Sequence, residues 1–580
     1  MIYVQIMVRI ALLMVSILGY ILVLSKHVRI ELTPGLTFSG IGALMFFAGL
    51  LNVLQEMAWC IFLAGILCLA YSLYKEKGLR KDVLCPGILF FGFAVVFFFL
   101  LLYGSVFENI DNFTHWGVAS KVLLKTDFFP DLDRIVYRYP SYPVGSACII
   151  YYVTKIIGIQ SEWLQMWAQA MVMAGMISGL FVFAKQWRDG LIVAIASVML
   201  LCSGVNFVDL LVDTLLPVTA ISAFCFCICY REELAAKLGY LLPYTIFLVS
   251  IKNSGVLFAL AVLIYAFLSV GKKDHQVREW LKVLLITIAA WYLWDRHVAA
   301  VFGVKISTHN VSWANYQSVI NSTTLAEKKQ IVQLFLERVI SEAATTGCLL
   351  ANGVIIWVLS RASKNRKGIG KILAVAAAFY LVYQAGMLGM YLISMPKEEA
   401  AELAGYSRYW QTNLIFTAGL LVVGLMLSME GHRMGYGRNA AIVVIVLCVF
   451  GFALQPNFRF YRKQNEDASL ELQDRVHAEA LVRKYDIPEH GRYLILVSDD
   501  REDTSTDGPF RQVRLGYVWH LLEYMLDPSF ITGQYASKVN PENLEVFDYV
   551  LLFDETEAGR QLLVDAFGES EDDVICVYER

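Results

Sequence analysis

The chain has 580 residues, of which 57% are hydrophobic and only 17% charged, with a mean hydropathy of +0.56. A water-soluble protein of this length needs more charge to cover its surface, so the composition excludes an ordinary soluble enzyme and predicts an integral membrane protein. The formal net charge of −3 provides no basic field for nucleic acid, and we expect no nucleic-acid partner.

Apolar runs recur along residues 1–455. A helix needs about 20 such residues to cross the hydrocarbon layer of a bilayer. The sequence therefore predicts a mainly α fold, a polytopic transmembrane bundle of about fourteen helices. We place the spans at 5–25, 38–54, 57–74, 84–104, 161–184, 190–204, 210–230, 239–252, 254–270, 282–300, 342–360, 371–393, 412–430 and 439–455.

Lysine and arginine in the short loops predict the orientation. The basic segments 26–29, 75–81, 185–188, 231–237, 272–282, 361–371 and 433–438 all fall on one side of the predicted spans. That side is predicted to be the cytoplasm, in a multi-pass protein of the cell membrane. The opposite side then receives the long outer loop 105–160, in which the apolar run 144–157 is too short for a span and is expected to lie on the membrane surface.

The tail 456–580 has dense charge and short apolar runs, which indicates a separate soluble domain. The runs 493–497, 549–553 and 574–578 are typical of buried strands, and helical patterns occupy 513–526 and 557–566 between them. The sequence therefore predicts a small α/β domain, placed outside the cytoplasm by the predicted topology.

The most informative polar residues follow the predicted span 84–104. Glu108, Asp111 and His115 are spaced three and four residues apart, so they would share one face of a helix. A carboxylate at the mouth of a membrane protein can take a proton from an acceptor hydroxyl or bind a divalent cation. The same residues would also serve simply to solvate the end of a helix, and both interpretations stay open.

Residues 111–117 read DNFTHWG, Lys121 follows, and residues 139–145 read YPSYPVG. This order resembles the first outer loop of the GT-C-type glycosyltransferases, multi-span enzymes that use polyprenyl-phosphate-linked sugars. In that superfamily an acidic residue begins the first large outer loop, amphipathic helices run along the membrane, and a tyrosine- and proline-rich segment precedes the next span. The resemblance covers residues 84 to about 270, with one further short motif near residue 408.

Three later positions match as well. Asp213, followed by the sequence TLL, resembles the second acidic residue of the superfamily, and Asp209 lies four residues earlier on the same predicted helical face. Lys252, in the sequence IKNSG, resembles a short lysine- and glycine-containing outer turn whose cation would pair with a lipid phosphate. Aspartates that cap the wet end of a span, and a snorkelling lysine, are the structural alternatives.

The pair Arg408 and Tyr409 precedes the predicted span 412–430. It resembles an arginine–tyrosine pair on the outer side of many GT-C enzymes. Arginine suits a lipid phosphate because its planar fork pairs with two oxygens and stays charged. Anchoring at the membrane interface beside Trp410 is the alternative.

The resemblance implies a cell-envelope glycosyltransferase of the hexosyltransferase type. It would move a sugar from a polyprenyl-phosphate donor to a glycan, polymer or protein acceptor, as in polysaccharide assembly. Asp111 would be the general base, with Glu108 and His115 beside it. The residues implied at the donor phosphate are Arg408, Lys252 and Tyr409, and those of a second acidic site are Asp213 and Asp209.

One departure from the superfamily concerns metal binding. Several members carry two adjacent acidic residues in the first loop, whereas Asn112 follows Asp111 here. The sequence therefore implies no certain cofactor, and a divalent cation such as Mg or Mn is left open.

Two rival functions use the same membrane architecture. A flippase or transporter of lipid-linked glycans would need charged residues inside its spans, and few are present apart from Arg9, Asp213 and Lys252. A polymerase or ligase of lipid-linked glycans would depend more on outer arginine and histidine residues. The acidic start of the first loop favours the transferase.

The predicted topology has a direct test. A reporter fused after Arg580 should appear outside the cytoplasm, and the same reporter inserted near Lys367 should stay inside, because all basic loops share one side. Compartment-specific reporter activity measures both, at matched expression. A cytoplasmic C-terminus would make the number of spans odd and would place the acidic loop on the wrong side for the proposed chemistry.

Overall fold

The structure, a computed structural model, describes residues 2–76, 81–132, 139–203, 209–270, 274–303, 313–429 apart from 362 and 364, isolated positions between 446 and 454, 470–497, and 514–577 with short gaps at 536–537, 541–543, 545 and 569–571. The chain forms two compact units. We call Met1–Tyr103, Ala119–Asp131 and Tyr139–Phe460 the helical unit, and Gly104–Val118, Leu132–Arg138 and Tyr461–Arg580 the C-terminal unit. The predicted division at residue 455 left 104–118 with the membrane domain, whereas in the structure it clusters with the tail.

Helices dominate the chain up to residue 429. In chain order they are α1 (Ile2–Leu24), α2 (Thr33–Leu50), α3 (Leu54–Glu76), α4 (Pro86–Leu102), α5 (Ile110–Thr114), α6 (Trp116–Thr126), α7 (Gly145–Ile157), α8 (Glu162–Ile177), α9 (Trp187–Leu201), α10 (Leu215–Cys229), α11 (Leu234–Lys237), α12 (Leu242–Ile251), α13 (Gly255–Ser269), α14 (Asp274–Phe302), α15 (Trp313–Ser322), α16 (Leu325–Ser341), α17 (Ala343–Ser360), α18 (Arg366–Ile393), α19 (Lys397–Ala401) and α20 (Tyr406–Met429).

Eight helical stretches of the described chain are long and apolar enough to cross a membrane: Val4–Leu24, Ile30–Leu50, Leu54–Lys75, Glu162–Phe183, Leu234–Ile251, Ala343–Ser360, Arg366–Ile393 and Tyr406–Met429. Shorter apolar helices accompany them, among them α4, α7, α10 and α13. The architecture is therefore compatible with a multi-pass membrane protein. The count of about fourteen spans stays a prediction, and the predicted span 439–455 lies outside the described residues except at isolated positions.

Burial separates inner helices from peripheral ones in the helical unit. In the most apolar windows of Glu162–Phe183 and Tyr406–Met429, 94% of the residues are buried, against 28% in the windows of Leu54–Lys75 and Arg366–Ile393. The peripheral helices expose large apolar side chains such as Leu67 and Leu381. A helix that is apolar on all sides and leaves much of its apolar surface uncovered by protein is expected for a membrane span that faces lipid.

The helix α7 corrects one prediction. Its apolar run was expected to lie on the membrane surface, yet Lys155 is the one residue of α7 that is not buried. The helix packs against α2, α8 and α1, so protein covers it on nearly every side. The helix has 13 residues, which agrees with the prediction that the run is too short for an ordinary span. The length of an apolar run does not show whether lipid or protein surrounds the helix.

The helices α12 and α13, which lie within the predicted spans 239–252 and 254–270, pack against each other across a short turn. The chain leaves the helical conformation at Lys252, whose backbone is extended (φ −158°, ψ 154°). Gly255 then begins α13 against the last turns of α12, where a Cβ atom would lie 1.9 Å from the carbonyl oxygen of Leu248. Only glycine fits this approach, which fixes the position of Lys252 at the tip of the hairpin.

The C-terminal unit contains a four-stranded sheet. Its elements are α21 (Leu470–Lys484), β1 (Arg492–Val497), α22 (Arg514–Leu526), β2 (Phe530–Tyr535), β3 (Tyr549–Leu552), α23 (Glu557–Phe567) and β4 (Val574–Cys576). The strand order is β2-β1-β3-β4, with β1 parallel to β2 and β3, and β4 antiparallel to β3. The predicted strands at β1, β3 and β4 and the predicted helices at α22 and α23 are confirmed.

The strand β2 was missed in the sequence. It reads FITGQY and mixes polar residues with Gly533, so it lacks the apolar run of its neighbour. As the edge strand beside β1 it is only partly buried, and it owes its conformation to pairing rather than to its own composition.

Candidate functional site

A buried ion pair joins two predicted site residues of the helical unit. Lys252 Nζ lies 3.2 Å from Asp213 Oδ1, and the two side chains are only 13% and 4% exposed. Asp213 comes two residues before α10 and Lys252 is the residue after α12, so each charge sits at a helix end. Burying two charges is costly, and mutual attraction offsets that cost only where both partners are present.

The first turns of α20 complete this cluster. Lys252 Nζ lies 4.9 Å from the ring centroid of Tyr409, close enough for a cation–π interaction. The hydroxyl of Thr412 lies 3.1 Å from the backbone oxygen of Asp213 and 3.0 Å from that of Arg408. We call Asp213, Lys252, Tyr409 and Thr412 the charged cluster. It brings together three chain segments that the sequence had proposed separately.

Arg408 lies next to this cluster in the chain. It occupies the first turn of α20 and is half-buried. Its backbone oxygen accepts from Thr412, the residue one turn further along the helix. The spacing of four residues between Arg408 and Thr412 is the signal by which Thr412 could have been found in the sequence.

The second carboxylate oxygen of Asp213 has a different environment. Oδ2 is buried and accepts no hydrogen bond from the described residues. The buried Tyr383 of α18 lies close enough to Asp213 and Tyr409 to interact electrostatically with both. A buried acceptor without a donor costs free energy, which makes Oδ2 a candidate contact for a ligand hydroxyl.

Asp209 does not share a helical face with Asp213, as the sequence had predicted. Residues 209–214 are not helical, and α10 begins only at Leu215. The backbone oxygen of Asp209 faces the side chain of Gln169, whose Nε2 also donates to Leu211 at 3.0 Å. These bonds hold the segment in an irregular conformation. Residues 204–208, which precede Asp209, lie outside the described residues.

The acidic residues of the first loop belong to the C-terminal unit. The predicted common helical face of Glu108, Asp111 and His115 is wrong, because Asn109 caps the helix α5 and leaves Glu108 outside it. The Asn109 side chain accepts from the backbone N–H of Asp111 at 2.9 Å. The helix ends at Thr114, and His115, with φ −154°, follows as its C-cap.

This loop segment packs on the C-terminal unit's own helices. The ring of Phe113 contacts those of Tyr517 and Tyr524 on α22, with centroids 5.7 and 5.5 Å apart. The buried Arg475 of α21 donates to the backbone oxygen of Phe107 at 3.0 Å. Nothing in the spacing of the sequence indicated this packing, since α21 was identified only as part of a charged tail.

Burial, together with repulsion from Glu471 on α21, raises the pKa of Glu108 to about 7, with Arg475 opposing both effects. A carboxyl group with a pKa near neutrality is half protonated at physiological pH, which suits proton transfer in either direction. His115, also buried, lies with its Nδ1 3.1 Å from the hydroxyl of Thr114.

The predicted residues thus fall into two groups by unit. The helical unit carries Asp209, Asp213, Lys252, Arg408 and Tyr409, and the C-terminal unit carries Glu108, Asp111 and His115. Within the described residues, no group of three or more histidine, cysteine, aspartate and glutamate side chains is arranged to hold a metal ion.

No family model, no curated protein and no solved structure matches this chain. The resemblance to the GT-C enzymes therefore depends on the quoted residues and their order.

The charged cluster predicts a coupled effect on stability. Asp213→Asn and Lys252→Gln should each destabilise the protein by about 3 kcal/mol or more, because each leaves one buried charge without its partner. The double variant should be less destabilised than the sum of the two, since neither charge remains. Thermal unfolding of the purified full chain in detergent measures all three.

A matched control is Lys282→Gln, which removes an exposed lysine whose Nζ lies 2.7 Å from Glu279. It should change stability by less than about 1 kcal/mol, as exposed ion pairs do. Strictly additive losses at Asp213 and Lys252 would show that the two side chains do not interact in the folded protein.

Proposed function

We propose that the chain is a membrane glycosyltransferase that moves a sugar from a polyprenyl-phosphate donor to a glycan, polymer or protein acceptor on the extracytoplasmic face. The observation that carries the proposal is the convergence of Asp213, Lys252 and Tyr409 in one buried cluster beside Arg408. Lys252 and Tyr409 are residues that the resemblance implies at the donor phosphate, and Asp213 is the residue that resembles the second acidic position of the superfamily.

The donor phosphate is assigned to cations of the helical unit. Arg408 has the bidentate fork that phosphate oxygens favour, and Lys252 adds a point charge. Asp213 holds Lys252 in place through Oδ1, while Oδ2 would accept from a hydroxyl of the donor. Cations fixed in a dry environment stabilise a departing phosphate more strongly than cations in water.

The reaction needs a base for the acceptor. In the proposed step a carboxylate takes the acceptor's hydroxyl proton, the hydroxyl oxygen forms a bond to the anomeric carbon, and the carrier phosphate leaves with the electron pair of the old bond. Attack opposite the phosphate inverts the anomeric configuration. Asp111 is the base that the resemblance assigns. Glu108 competes for the role because its pKa of about 7 suits proton transfer at neutral pH.

The transporter of lipid-linked glycans is the second candidate. The charged cluster supports it as well, because charged residues buried among helices mark substrate and ion pathways, and interrupted helices form the binding sites of many transporters. A polymerase or ligase of lipid-linked glycans would use Arg408 in the same way but would not require a carboxylate base.

The role of Arg408 can be separated from its charge. Arg408→Ala should weaken use of the polyprenyl-phosphate donor far more than Arg408→Lys, because lysine keeps the charge and loses only the bidentate fork. Initial rates over a range of donor concentrations measure the effect, which should appear mainly in the KM for the donor. Equal donor dependence of the wild type and Arg408→Ala, at normal expression, removes Arg408 from the donor site.

The two carboxylates can be told apart by substitution. Asp111→Asn should lower turnover by about 10²–10⁴-fold, since the amide keeps the shape but accepts no proton. The assay is sugar transfer from a purified donor, with each variant checked for monodispersity. If Glu108→Gln is inactive instead, and the wild-type rate rises through pH 7 while Asp111→Asn is active, Glu108 is the base. If neither substitution slows transfer, neither carboxylate is the base. If the wild type itself transfers no sugar from the donor, the glycosyltransferase proposal fails and the transporter takes its place.

A further inference from the structure

Arg9 is a charged residue inside an apolar span, and it takes no part in the charged cluster. It lies in α1, within the candidate span Val4–Leu24, about 7–8 Å along the helix from Val4 at about 1.5 Å per residue. The other end of this span adjoins the basic segment 26–29, so Arg9 is predicted to lie in the outer leaflet. A charge at such a depth is costly unless it meets a counter-charge or reaches water.

The side chain of Arg9 lies on the exposed surface of the helical unit. Arg9 is exposed, and so are Gln5 and Leu12, which lie one turn before and one turn after it on the same side of α1. In the most apolar window of this span, only 33% of the residues are buried. The surface around Arg9 is therefore mostly apolar and uncovered by protein, as expected where a span contacts lipid chains.

One side of the Arg9 guanidinium is held by the end of α7. Nη1 donates to the backbone oxygen of Ile157, the last residue of α7, at 3.1 Å. Gly158 follows in the left-handed conformation (φ 79°), and a Cβ atom at this position would collide with Nη1. Arg9 thus satisfies one of the carbonyl groups that a helix leaves unpaired at its C-terminus. The guanidinium is therefore positioned before any ligand binds, which lowers the entropy lost on binding.

The positive charge of Arg9 has no counter-ion within the described part of the chain. Arg9 forms no ion pair with a carboxylate of the described residues, and its bond to Ile157 is its one hydrogen bond among them. A backbone carbonyl carries only a partial charge, and a guanidinium has further N–H groups for a second acceptor. A ligand for this position therefore combines an anion, which would accept those N–H groups, with an apolar part.

We propose that Arg9 binds the phosphate group of an anionic phospholipid in the outer leaflet, at the junction of α1 and α7, with the acyl chains along the apolar surface of α1. Guanidinium and phosphate form short, charge-assisted hydrogen bonds, and the phosphate supplies the negative charge that the described residues do not. A soluble anion would have to leave water for an apolar surface, whereas a phospholipid headgroup lies within reach of an arginine near the end of a span. The site depends on the multi-pass architecture and is independent of the proposed glycosyl transfer.

The test uses the purified full chain in detergent micelles that contain equal amounts of phosphatidylglycerol and phosphatidylcholine. Native mass spectrometry counts the bound lipids, and the readout is the ratio of phosphatidylglycerol to phosphatidylcholine adducts. We expect phosphatidylglycerol to predominate on the wild type. Arg9→Gln, which keeps an N–H donor for Ile157, should lower the ratio about fivefold, the usual contribution of one basic residue near an anionic lipid. Arg9→Lys should keep most of the ratio, because the charge remains.

Arg296→Gln is the matched control. Arg296 is also an exposed arginine near the predicted outer end of a span, but its guanidinium lies 2.8 Å from the carboxylate of Asp295 and is already neutralised. This variant should bind the two lipids in the wild-type ratio.

A measurement on the wild type decides the matter should Arg9→Gln fail to fold. Phosphatidylglycerol that carries a photoreactive group on its headgroup should label α1 close to Arg9, because the headgroup is held there. Mass spectrometry of the digested protein locates the label.

An unchanged lipid ratio in Arg9→Gln would overturn the proposal, and so would a wild type that binds phosphatidylcholine as readily as phosphatidylglycerol. Glycerol phosphate that displaces phosphatidylglycerol at a similar concentration identifies a soluble anion as the ligand. Equal losses in Arg296→Gln and Arg9→Gln show a diffuse effect of net charge rather than a site. A photoreactive label that is absent from α1 places the lipid elsewhere.

Discussion

The buried attraction between Lys252 and Asp213 constrains much of the helical unit. Neither charge is tolerable alone in an apolar interior, so Asp213, two residues before α10, and Lys252, the residue after α12, are required to stay within a few ångströms of each other. Tyr409 and Thr412 tie the start of α20 to the same point. The short turn between α12 and α13, in which Gly255 lies against the carbonyl oxygen of Leu248, places Lys252 at that position.

The C-terminal unit fixes the conformation of Gly104–Val118, the polar and aromatic segment that follows the apolar helix α4. Phe113 supplies the apolar contact, and Arg475 satisfies a backbone oxygen that the short helix α5 cannot. The cost is that Glu108 is drawn partly out of water, and its pKa rises for that reason. The high pKa of Glu108 thus results from the packing of this segment against the helices of the C-terminal unit.

The sequence was informative wherever the determining interaction is local. Periodicity and length predicted most of the helices, and continuous apolar runs predicted β1, β3 and β4. The resemblance to the GT-C motifs singled out Asp213, Lys252 and Tyr409, and Lys252 contacts the other two in the structure. The sequence was not informative where a partner distant in the chain decides the outcome. The strand β2 depends on pairing with β1, the burial of α7 depends on its neighbours, and the supposed helical face of Glu108 was interrupted by the cap at Asn109.

The bond from Arg475 to Phe107 joins residues that are 368 positions apart in the chain. During synthesis the segment around Phe107 emerges early, and its partner α21 follows only after nearly all of the helical unit has been made. At a synthesis rate of about 5–20 residues per second, that interval is roughly 20–70 s. Through this time Phe113 and the neighbouring aromatic residues are without the surface on which they finally pack. A chain that stops before residue 470 therefore lacks both α21 and α22, the helices against which this segment packs.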